Sequence, residues 1–338
     1  MTKKELDFND KFLVAGAGGM VGSAVCRALK EKGYGNEKKH SGKIFSPKKN
    51  ELNYLDYDAT FKWFEIHKPT VVIIAAAKVG GILANNNFPT EFLLDNLTIQ
   101  NNLINISYKF KVKKLLFLGS SCIYPRLCQQ PINEEYLMSG PLEPTNEYYA
   151  IAKITGIKLC EALNKEHNFN AISLMPTNLY GPGDNYHLNN SHVIPALIRK
   201  FHKAKNDLQD SVTCWGSGSP FREFLHVDDL ADGCVFALEN WNPKNKNAPK
   251  DEDGNSFQWL NIGTGKEISI KDLAIKIAEI FKYKGEIIWD LNKPDGTPRK
   301  RLNISKIKSL GWSPKIKLDE GLFQTIQNYE VSFKRRNE

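Results

Sequence analysis

Short apolar runs alternate with longer amphipathic stretches through the first half of the chain. The run at residues 70–77, TVVIIAAA, is apolar on both faces, as buried strands of parallel sheets are. Four further strand-sized runs lie at 11–15, 43–46, 114–119 and 171–175. Helix-length stretches separate them, most clearly at 89–110 and 149–168. This alternation predicts βαβ units and a parallel sheet.

The pattern changes after residue 180. Gly181-Pro182-Gly183 interrupts it, later strands are short and widely spaced, and the polar segment 243–257 is typical of a surface loop. We expect an α/β protein with a smaller α/β lobe in its C-terminal half. The predicted sheet domain spans 1–178, and the chain returns to it near 224–242 and 258–264. The predicted lobe comprises 179–223 and 265–338.

A glycine-rich segment follows the first predicted strand and precedes a helical pattern. In GAGGMVG, Gly16, Gly19 and Gly22 have the spacing G-x-x-G-x-x-G. Such glycines allow a tight turn, after which the helix N-terminus can bind a pyrophosphate. We therefore predict a Rossmann-type doubly wound parallel sheet; the alternative is a purely structural turn. The predicted cofactor contacts in this loop are Gly16, Gly18, Gly19, Met20, Val21 and Gly22.

The residues after the second predicted strand indicate which dinucleotide binds. NAD sites usually have an acid there, which binds the 2′-hydroxyl of the adenosine ribose. Here Lys48 and Lys49 occupy the segment, and a lysine would attract a 2′-phosphate. We predict NADP(H) as the cofactor, with Lys49 near its adenosine end. Two solvated lysines are the alternative.

Three polar residues predict carbonyl chemistry. Ser120 follows the fourth predicted strand, at the sheet edge where open α/β sheets bind ligands. Tyr149 and Lys153 are four residues apart and therefore share one helix face. A neighbouring ammonium favours the phenolate, so we expect Lys153 to lower the pKa of Tyr149 and to allow proton exchange near neutral pH. Ser120 can hold the carbonyl or carbinol oxygen.

Seven longer stretches carry a resemblance that runs from about residue 11 to 330. They are AAAKVGGILANN (75–86), LFLGSSCIYP (116–125), EPTNEYYAIAK (143–153), MPTNLYGPGDN (175–185), SHVIPALIRKFH (191–202), WGSGSPFREFLHVDDLA (215–231) and KPDGTPRK (293–300). The chain resembles the extended short-chain dehydrogenases/reductases, and among them the 3,5-epimerase/4-reductases of GDP-4-keto-6-deoxymannose. The resemblance implies an NADPH-dependent enzyme that epimerises C3 and C5 of a GDP-sugar and then reduces its C4 ketone, giving GDP-L-fucose.

The resemblance also implies residue roles. Ser120, Tyr149 and Lys153 would form the reductase triad, and Cys122 and His192 would be the acid/base pair of epimerisation. Further cofactor contacts would be Lys49, Leu118, Gly119, Lys153, Pro176, Thr177, Asn178, Leu179 and His192. Substrate contacts would be Lys200, Trp215, Arg222, Asp295 and Lys300. One departure is Ala17-Gly18, where family members can carry His-Arg and so gain an arginine near the cofactor phosphate.

Two other functions fit the same motifs. One is a reductase without epimerase activity that acts on another GDP-4-keto sugar, such as a GDP-4-keto-heptose. The other is a non-catalytic NADP-binding sensor, which the intact Ser–Tyr–Lys set disfavours. Members of the family pair through two long helices, which correspond here to 89–110 and 149–168. We therefore expect a homodimer.

Charge and cysteine content narrow the possible partners. The net charge of +8 suits an anionic GDP-sugar, and no nucleic-acid-binding motif accompanies it, so we expect no nucleic-acid partner. The N-terminal residues lack a secretory signal, and no apolar run approaches the roughly 20 residues that a membrane helix needs. We expect a cytoplasmic protein without a membrane partner. The six cysteines lack zinc-site spacing, so we predict reduced thiols and no metal.

Overall fold

The computed structural model describes residues 5–188, 190–293 and 295–337. The strands in that part of the chain are β1 (Lys11–Ala15), β2 (Lys43–Phe45), β3 (Val71–Ile74), β4 (Lys114–Leu118), β5 (Ala171–Pro176), β6 (Asn178–Tyr180), β7 (Ser211–Trp215), β8 (Phe221–His226), β9 (Trp259–Ile262), β10 (Glu267–Ser269), β11 (Glu286–Asp290) and β12 (Arg299–Lys300). The helices are α1 (Met20–Glu31), α2 (Tyr57–His67), α3 (Ile82–Asn87), α4 (Pro89–Lys109), α5 (Glu147–His167), α6 (Val193–Asn206), α7 (Val227–Asn240), α8 (Ile270–Phe281), α9 (Ser305–Ser309) and α10 (Leu318–Asn337).

The large sheet has the strand order β2-β1-β3-β4-β5-β9, and all of its pairings are parallel. Strand β3 is completely buried, and Val72 lies beside Leu13 of β1 and Leu115 of β4. Helix α4 packs against α5, and α1 packs against α7. Because parallel strands need helical crossovers, these helices cover the sheet. The predicted Rossmann-type doubly wound sheet is confirmed.

Strand β3 is shorter than predicted. It ends at Ile74, although the apolar run continues to Ala77. The backbone N–H of Lys78 donates to the Asn96 side chain of α4 at 2.8 Å, and Asn96 donates back to the Lys78 carbonyl at 3.0 Å. The chain therefore leaves the sheet and turns towards α4, because a side-chain amide replaces the neighbouring strand as hydrogen-bond partner.

A smaller α/β lobe lies beside the large sheet. Its strands β7 and β11 pair in parallel, and α6 and α8 enclose a second hydrophobic cluster. Strand β8 pairs with β6, β10 and β12 and contributes to both cores, since Phe224 lies in the smaller cluster and Leu225 in the larger one. The domain bounds proposed from the sequence stay a prediction.

The segment 243–257 is largely irregular, as predicted, with one isolated bridge between Lys250 and Ser256. Three apolar side chains of the segment, Pro243, Ala248 and Phe257, are nevertheless buried and hold it against the protein. Among the residues described, every helix is either too short or too polar to cross a bilayer.

Candidate active site

The loop between β1 and α1 is so tight that two of its positions require glycine. Gly16 has a φ of +87°, and a Cβ on it would lie 2.6 Å from the backbone nitrogen of Ala76. A Cβ on Gly22 would lie 2.2 Å from the Gly16 carbonyl oxygen. Helix α1 follows Gly19 without a side-chain cap, and its described first turn carries no acidic residue. This cradle and helix end fit a dinucleotide diphosphate.

The basic segment after β2 and the glycine loop both follow the carboxyl ends of strands, at the same edge of the sheet. Strands β1 and β2 are parallel, with Leu13 beside Phe45, so their carboxyl ends are adjacent. Lys48 and Lys49 are both exposed, and the Lys48 backbone N–H donates to the Glu51 carboxylate at 2.8 Å. Both lysines thus follow a strand end that lies next to the glycine loop.

Ser120, Tyr149 and Lys153 converge at the carboxyl end of β4. The side chains of Ser120 and Tyr149 share a hydrogen bond. The Lys153 ammonium donates to the Leu118 carbonyl at 2.8 Å and lies 5.8 Å from the centre of the Tyr149 ring. The sequence thus correctly indicated that these three residues meet.

The electrostatics of this set differ from the expectation. Burial raises the pKa of Tyr149 above its ordinary value, and Cys122 raises it further, while the hydrogen bond with Ser120 opposes both. Burial also lowers the pKa of Lys153 to about 8. The prediction that the pKa of Tyr149 is lowered is wrong for this structure, because burial of the phenol is the largest influence on it. Tyr149 is therefore protonated at neutral pH, as a proton donor must be.

Cys122 and His192 both interact electrostatically with Lys300. Cys122 is buried in the short 3₁₀ turn Ser121–Ile123, and its backbone N–H donates to the Ser120 hydroxyl at 3.3 Å. His192 directly precedes α6 and keeps exposed surface, but the surrounding protein desolvates its ring and Lys300 lies near, so its pKa is lowered. Burial lowers the pKa of Lys300, whereas Cys122 opposes this change.

A small pocket opens beside Cys122. Its wall includes Glu143, whose carboxylate accepts a hydrogen bond from the Thr297 hydroxyl at 3.3 Å and pairs with Arg126 at 3.1 Å. Lys300 lines the same wall. Glu143 was not selected from the sequence as a site residue, although it lies in the stretch EPTNEYYAIAK.

The segment Pro176 to Leu179 continues from β5 into β6 and is held from two sides. The Thr177 backbone N–H donates to the Ile262 carbonyl at 3.1 Å. The Thr177 hydroxyl and the Asn178 amide both donate to the main-chain carbonyl of Glu223, at 3.1 and 2.9 Å. The segment borders the site beyond β5, close to the strand that carries Arg222.

Trp215 forms an exposed platform in the smaller lobe. Its side chain is 45% exposed, and the ammonium groups of Lys200 and Lys293 lie 5.5 and 5.3 Å from the centre of its indole ring. Lys200 also donates to the Thr213 carbonyl at 2.7 Å. Lys293 was not chosen from the sequence; the stretch KPDGTPRK, which begins with it, was the available signal.

Among the described residues, the Arg222 guanidinium donates to main-chain carbonyls and to no acidic side chain. Its guanidinium donates to the carbonyls of Phe221 at 2.9 Å and Asp295 at 3.4 Å, not to the carboxylate of Glu223. The Asp295 carboxylate accepts hydrogen bonds from the Ser217 backbone N–H at 2.8 Å and from the Ser217 hydroxyl at 2.9 Å. Asp295 thus orders the loop after Trp215.

The described residues contain no group of three or more His, Cys, Asp or Glu side chains arranged to hold a metal ion. The ionisable groups named above include acids, bases and cations. Their arrangement suits proton transfer and hydride transfer to a bound anionic sugar nucleotide.

Comparison with known proteins agrees with this chemistry. Residues 12–249 match the model of the NAD dependent epimerase/dehydratase family. The chain is 50% identical over 325 residues to GDP-L-fucose synthase 1 of Arabidopsis thaliana, covering 96% of this chain and 94% of that protein. A GDP-6-OMe-4-keto-L-xylo-heptose reductase from C. jejuni has a TM-score of 0.89 at 34% identity, covering 97% of this chain and 99% of that one.

A GDP-L-fucose synthetase from Naegleria fowleri bound to NADP is also similar, with a TM-score of 0.83 at 28% identity. That similarity covers 99% of this chain and 98% of that one. These relatives match nearly the whole chain, and the family model covers residues 12–249. The chain belongs to the NAD dependent epimerase/dehydratase family and, within it, to the GDP-L-fucose synthases.

Proposed function

We propose that this protein is an NADPH-dependent epimerase/reductase that converts GDP-4-keto-6-deoxymannose into GDP-L-fucose. The observation that carries the proposal is that Cys122 lies beside Ser120 and Tyr149 at the end of β4, while Lys300 interacts electrostatically with both Cys122 and His192. Tyr149 hydrogen-bonds Ser120, and the backbone N–H of Cys122 donates to the same Ser120 hydroxyl. Ser120 and Tyr149 serve reduction, and Cys122 and His192 serve epimerisation.

In the reduction, Ser120 orients the C4 oxygen of the sugar and Tyr149 donates the proton to it. NADPH, when bound, supplies the hydride to C4. The raised pKa of Tyr149 keeps its proton available, and the ammonium of Lys153 binds near the nicotinamide ribose. The tight glycine loop and the end of α1 hold the diphosphate, Lys49 approaches the 2′-phosphate, and Pro176 to Leu179 border the nicotinamide.

In the epimerisation, the C4 ketone acidifies the protons on C3 and C5, because the resulting carbanion is an enolate. Inversion needs a base on one face of the sugar and an acid on the other. Cys122 and His192 take these parts, since a thiol and an imidazole can each give up and accept a proton in general acid–base catalysis. The lowered pKa of His192 keeps its imidazole neutral and able to accept a proton.

The GDP moiety binds in the smaller lobe. Arg222 and Lys300 are adjacent on paired strands and offer positive charge to the diphosphate. Lys200 and Trp215 lie beside the nucleoside, and Asp295 shapes that surface through Ser217. The positive net charge of the protein suits this dianionic ligand.

A product analysis tests the proposed function. The purified protein receives GDP-4-keto-6-deoxymannose and NADPH, and the product is identified by NMR. We expect GDP-L-fucose. Formation of the unepimerised C4-reduced sugar would instead support a reductase of another GDP-4-keto sugar, a function favoured by the similarity to the C. jejuni heptose reductase. Absence of any turnover would exclude both.

We further infer a cytoplasmic homodimer that pairs through α4 and α5. These helices pack against each other, and Leu94, Tyr148 and Ile151 leave large apolar side chains exposed on them. Light scattering tests the dimer: the wild type should have twice the mass of one chain, and Leu94→Glu with Ile151→Glu should give monomers. A monomeric wild type would refute it.

A further inference from the structure

Glu223 is a fully buried carboxylate with no part in the chemistry described so far. One carboxylate oxygen accepts the backbone N–H groups of Thr264 at 2.6 Å and Gly265 at 2.7 Å. The other accepts the backbone N–H of Leu302 at 2.6 Å. Burial raises the pKa of Glu223, and these three donors oppose that change. An ionised carboxylate suits three converging N–H groups, because both of its oxygens only accept hydrogen bonds.

The Leu302 hydrogen bond fixes the strand that carries Lys300. Strand β12 pairs in parallel with β8, and this pairing puts Lys300 beside Arg222, one residue before Glu223. Leu302 follows Lys300 by two residues, so the carboxylate of Glu223 secures the chain immediately beyond this pair. The relative position of the two cations therefore depends on the Glu223 side chain.

The main chain of Glu223 contacts the other half of the cleft. Its carbonyl oxygen accepts the hydroxyl of Thr177 and the amide of Asn178, at 3.1 and 2.9 Å. These are the residues that border the nicotinamide in the proposed function. Gly263 confines the same carboxylate, because a Cβ on it would lie 2.1 Å from a Glu223 carboxylate oxygen.

We propose that Glu223 is a positioning residue that sets the distance between the nicotinamide-binding segment and the two cations that bind the GDP-sugar. Its main chain fixes Thr177 and Asn178, and its carboxylate fixes Arg222 and Lys300 relative to them. The inference rests on the proposed function, in which those residues contact cofactor and substrate. Reduction then depends on Glu223 although Glu223 touches neither reactant.

Replacement of the Glu223 side chain changes its carboxylate contacts and keeps its main-chain contacts with Thr177 and Asn178. Glu223→Gln keeps the size of the side chain and the main-chain carbonyl, but its amide can accept through only one atom. Either Leu302 or the 264–265 turn must lose its partner. We expect kcat/KM for the GDP-keto-sugar to fall by about tenfold to hundredfold, since displacements of about 1 Å can cost 10²-fold. The Kd for GDP should rise, whereas the Kd for NADPH should stay within about twofold, because the contacts of Thr177 and Asn178 survive.

A matched control separates positioning from general stability. Asp229 is also buried and accepts the backbone N–H groups of Lys315 at 3.0 Å and Ile316 at 2.9 Å, and neither donor belongs to the proposed cofactor or substrate residues. Asp229→Asn should lower the melting temperature but leave kcat/KM and the Kd for GDP unchanged per folded molecule. Gly263→Ala supplies a second perturbation, because its methyl group displaces the Glu223 carboxylate; its kinetic defect should resemble that of Glu223→Gln.

The outcomes distinguish the inference from the function on which it rests. If the wild type reduces the GDP-keto-sugar and both Glu223→Gln and Gly263→Ala retain its kcat/KM and its Kd for GDP, Glu223 does not position the site. An equal kinetic defect in Asp229→Asn would also overturn the inference. If the wild type itself does not turn over, the proposed function fails. GDP and NADPH titrations still test the positioning role in that case, and an unchanged Kd for GDP in both variants refutes it.

Discussion

The cofactor side and the substrate side of the cleft are built by different means. On the cofactor side, Gly16 to Gly22 form a cradle from consecutive residues, and its shape depends on backbone atoms that tolerate no Cβ at two positions. On the substrate side, Arg222, Asp295 and Lys300 come from separate segments and are held by hydrogen bonds across the fold. The first is a local property of the sequence, and the second is a property of the folded chain.

The reacting centre lies between these regions and should show the largest effect. Tyr149→Phe removes the proton donor but keeps the ring, so the rate of C4 reduction should fall by about 10²–10⁴-fold while NADPH still binds. Stopped-flow NADPH oxidation and a separate NADPH titration measure the two quantities. Tyr148→Phe, at the neighbouring exposed position, is the control and should be near normal. Near-normal turnover of Tyr149→Phe would remove Tyr149 from the reaction.

The cofactor cradle can be broken by a single methyl group. A Cβ on Gly22 meets the Gly16 carbonyl oxygen at 2.2 Å, whereas a Cβ on Gly18 meets no atom within 4 Å. Overpacking typically costs about 1–3 kcal/mol, so Gly22→Ala should weaken NADPH binding by about 5- to 150-fold. Calorimetric NADPH titrations of the wild type and of Gly22→Ala measure the change, and equal affinities would contradict a backbone-built cradle.

Charge, not shape, should decide the choice between the two nicotinamide cofactors. A charge-assisted hydrogen bond contributes roughly 1.5–3 kcal/mol, which corresponds to about 10- to 150-fold in the preference for NADPH. Lys49→Glu should reduce or invert the ratio of kcat/KM for NADPH and NADH. Lys62→Glu, on the exposed face of α2, should leave that ratio unchanged. A wild-type ratio near one would show that Lys48 and Lys49 are only solvated.

On the substrate side, removal of one cationic side chain should weaken binding of the GDP-keto-sugar without affecting binding of NADPH. Arg222→Ala should raise KM for the GDP-keto-sugar by about tenfold, as for the loss of one charge-assisted hydrogen bond, and should leave the Kd for NADPH unchanged. Initial-rate kinetics over a range of GDP-keto-sugar concentrations measure the effect. A change in kcat alone would mean that Arg222 does not hold the substrate in its ground state.

The smallest effect is expected in the turn at Gly183 and Asp184, which lies beside the cofactor loop. Gly183 lies close to Met20 of the cofactor loop, and the next residue, Asp184, has a carboxylate oxygen that is buried and without a hydrogen-bond partner in the described structure. Burial raises the pKa of Asp184 from 3.8 to about 7. Between pH 3.8 and about 7 the folded state therefore binds more protons than the unfolded state. The free energy of unfolding falls as the pH rises through this range.

Asp184→Asn removes this titration and should be more stable than the wild type above pH 7 by about 1 kcal/mol, the usual cost of one unsatisfied buried group. The difference should vanish near pH 4. Urea unfolding at several pH values measures it, and Asp210→Asn at an exposed carboxylate is the control. Parallel pH profiles for the wild type and Asp184→Asn would refute the raised pKa.

The difference between local and long-range structure also explains which features could be predicted from the sequence. The glycine loop, the parallel sheet and the Ser120–Tyr149–Lys153 set depend on local spacing, and the structure brings these residues together as expected. The end of β3 was misplaced because the Asn96 side chain replaces a strand partner of Lys78. The raised pKa of Tyr149 could not be predicted, because its burial arises from packing of distant segments.

Glu223 and Lys293 escaped prediction for a related reason. Glu223 looks like an ordinary strand residue in REFLH, and only the folded chain directs three backbone N–H groups from two other segments at it. Lys293 is one of many lysines, and its approach to Trp215 joins residues far apart in the sequence. Long-range contacts of this kind leave no periodic signal in the chain.

The central claim is that one cleft performs both epimerisation and reduction, and isotope exchange tests it most directly. The protein is incubated in D₂O with GDP-4-keto-6-deoxymannose and NADP⁺, so that no hydride is available, and loss of the C3 and C5 proton signals is followed by NMR. The wild type should exchange both positions, Cys122→Ser should slow the exchange strongly, and His192→Gln should impair it while NADPH still binds. A wild type that reduces a GDP-4-keto sugar with NADPH but exchanges neither proton would contradict the claim and leave a reductase without epimerase activity.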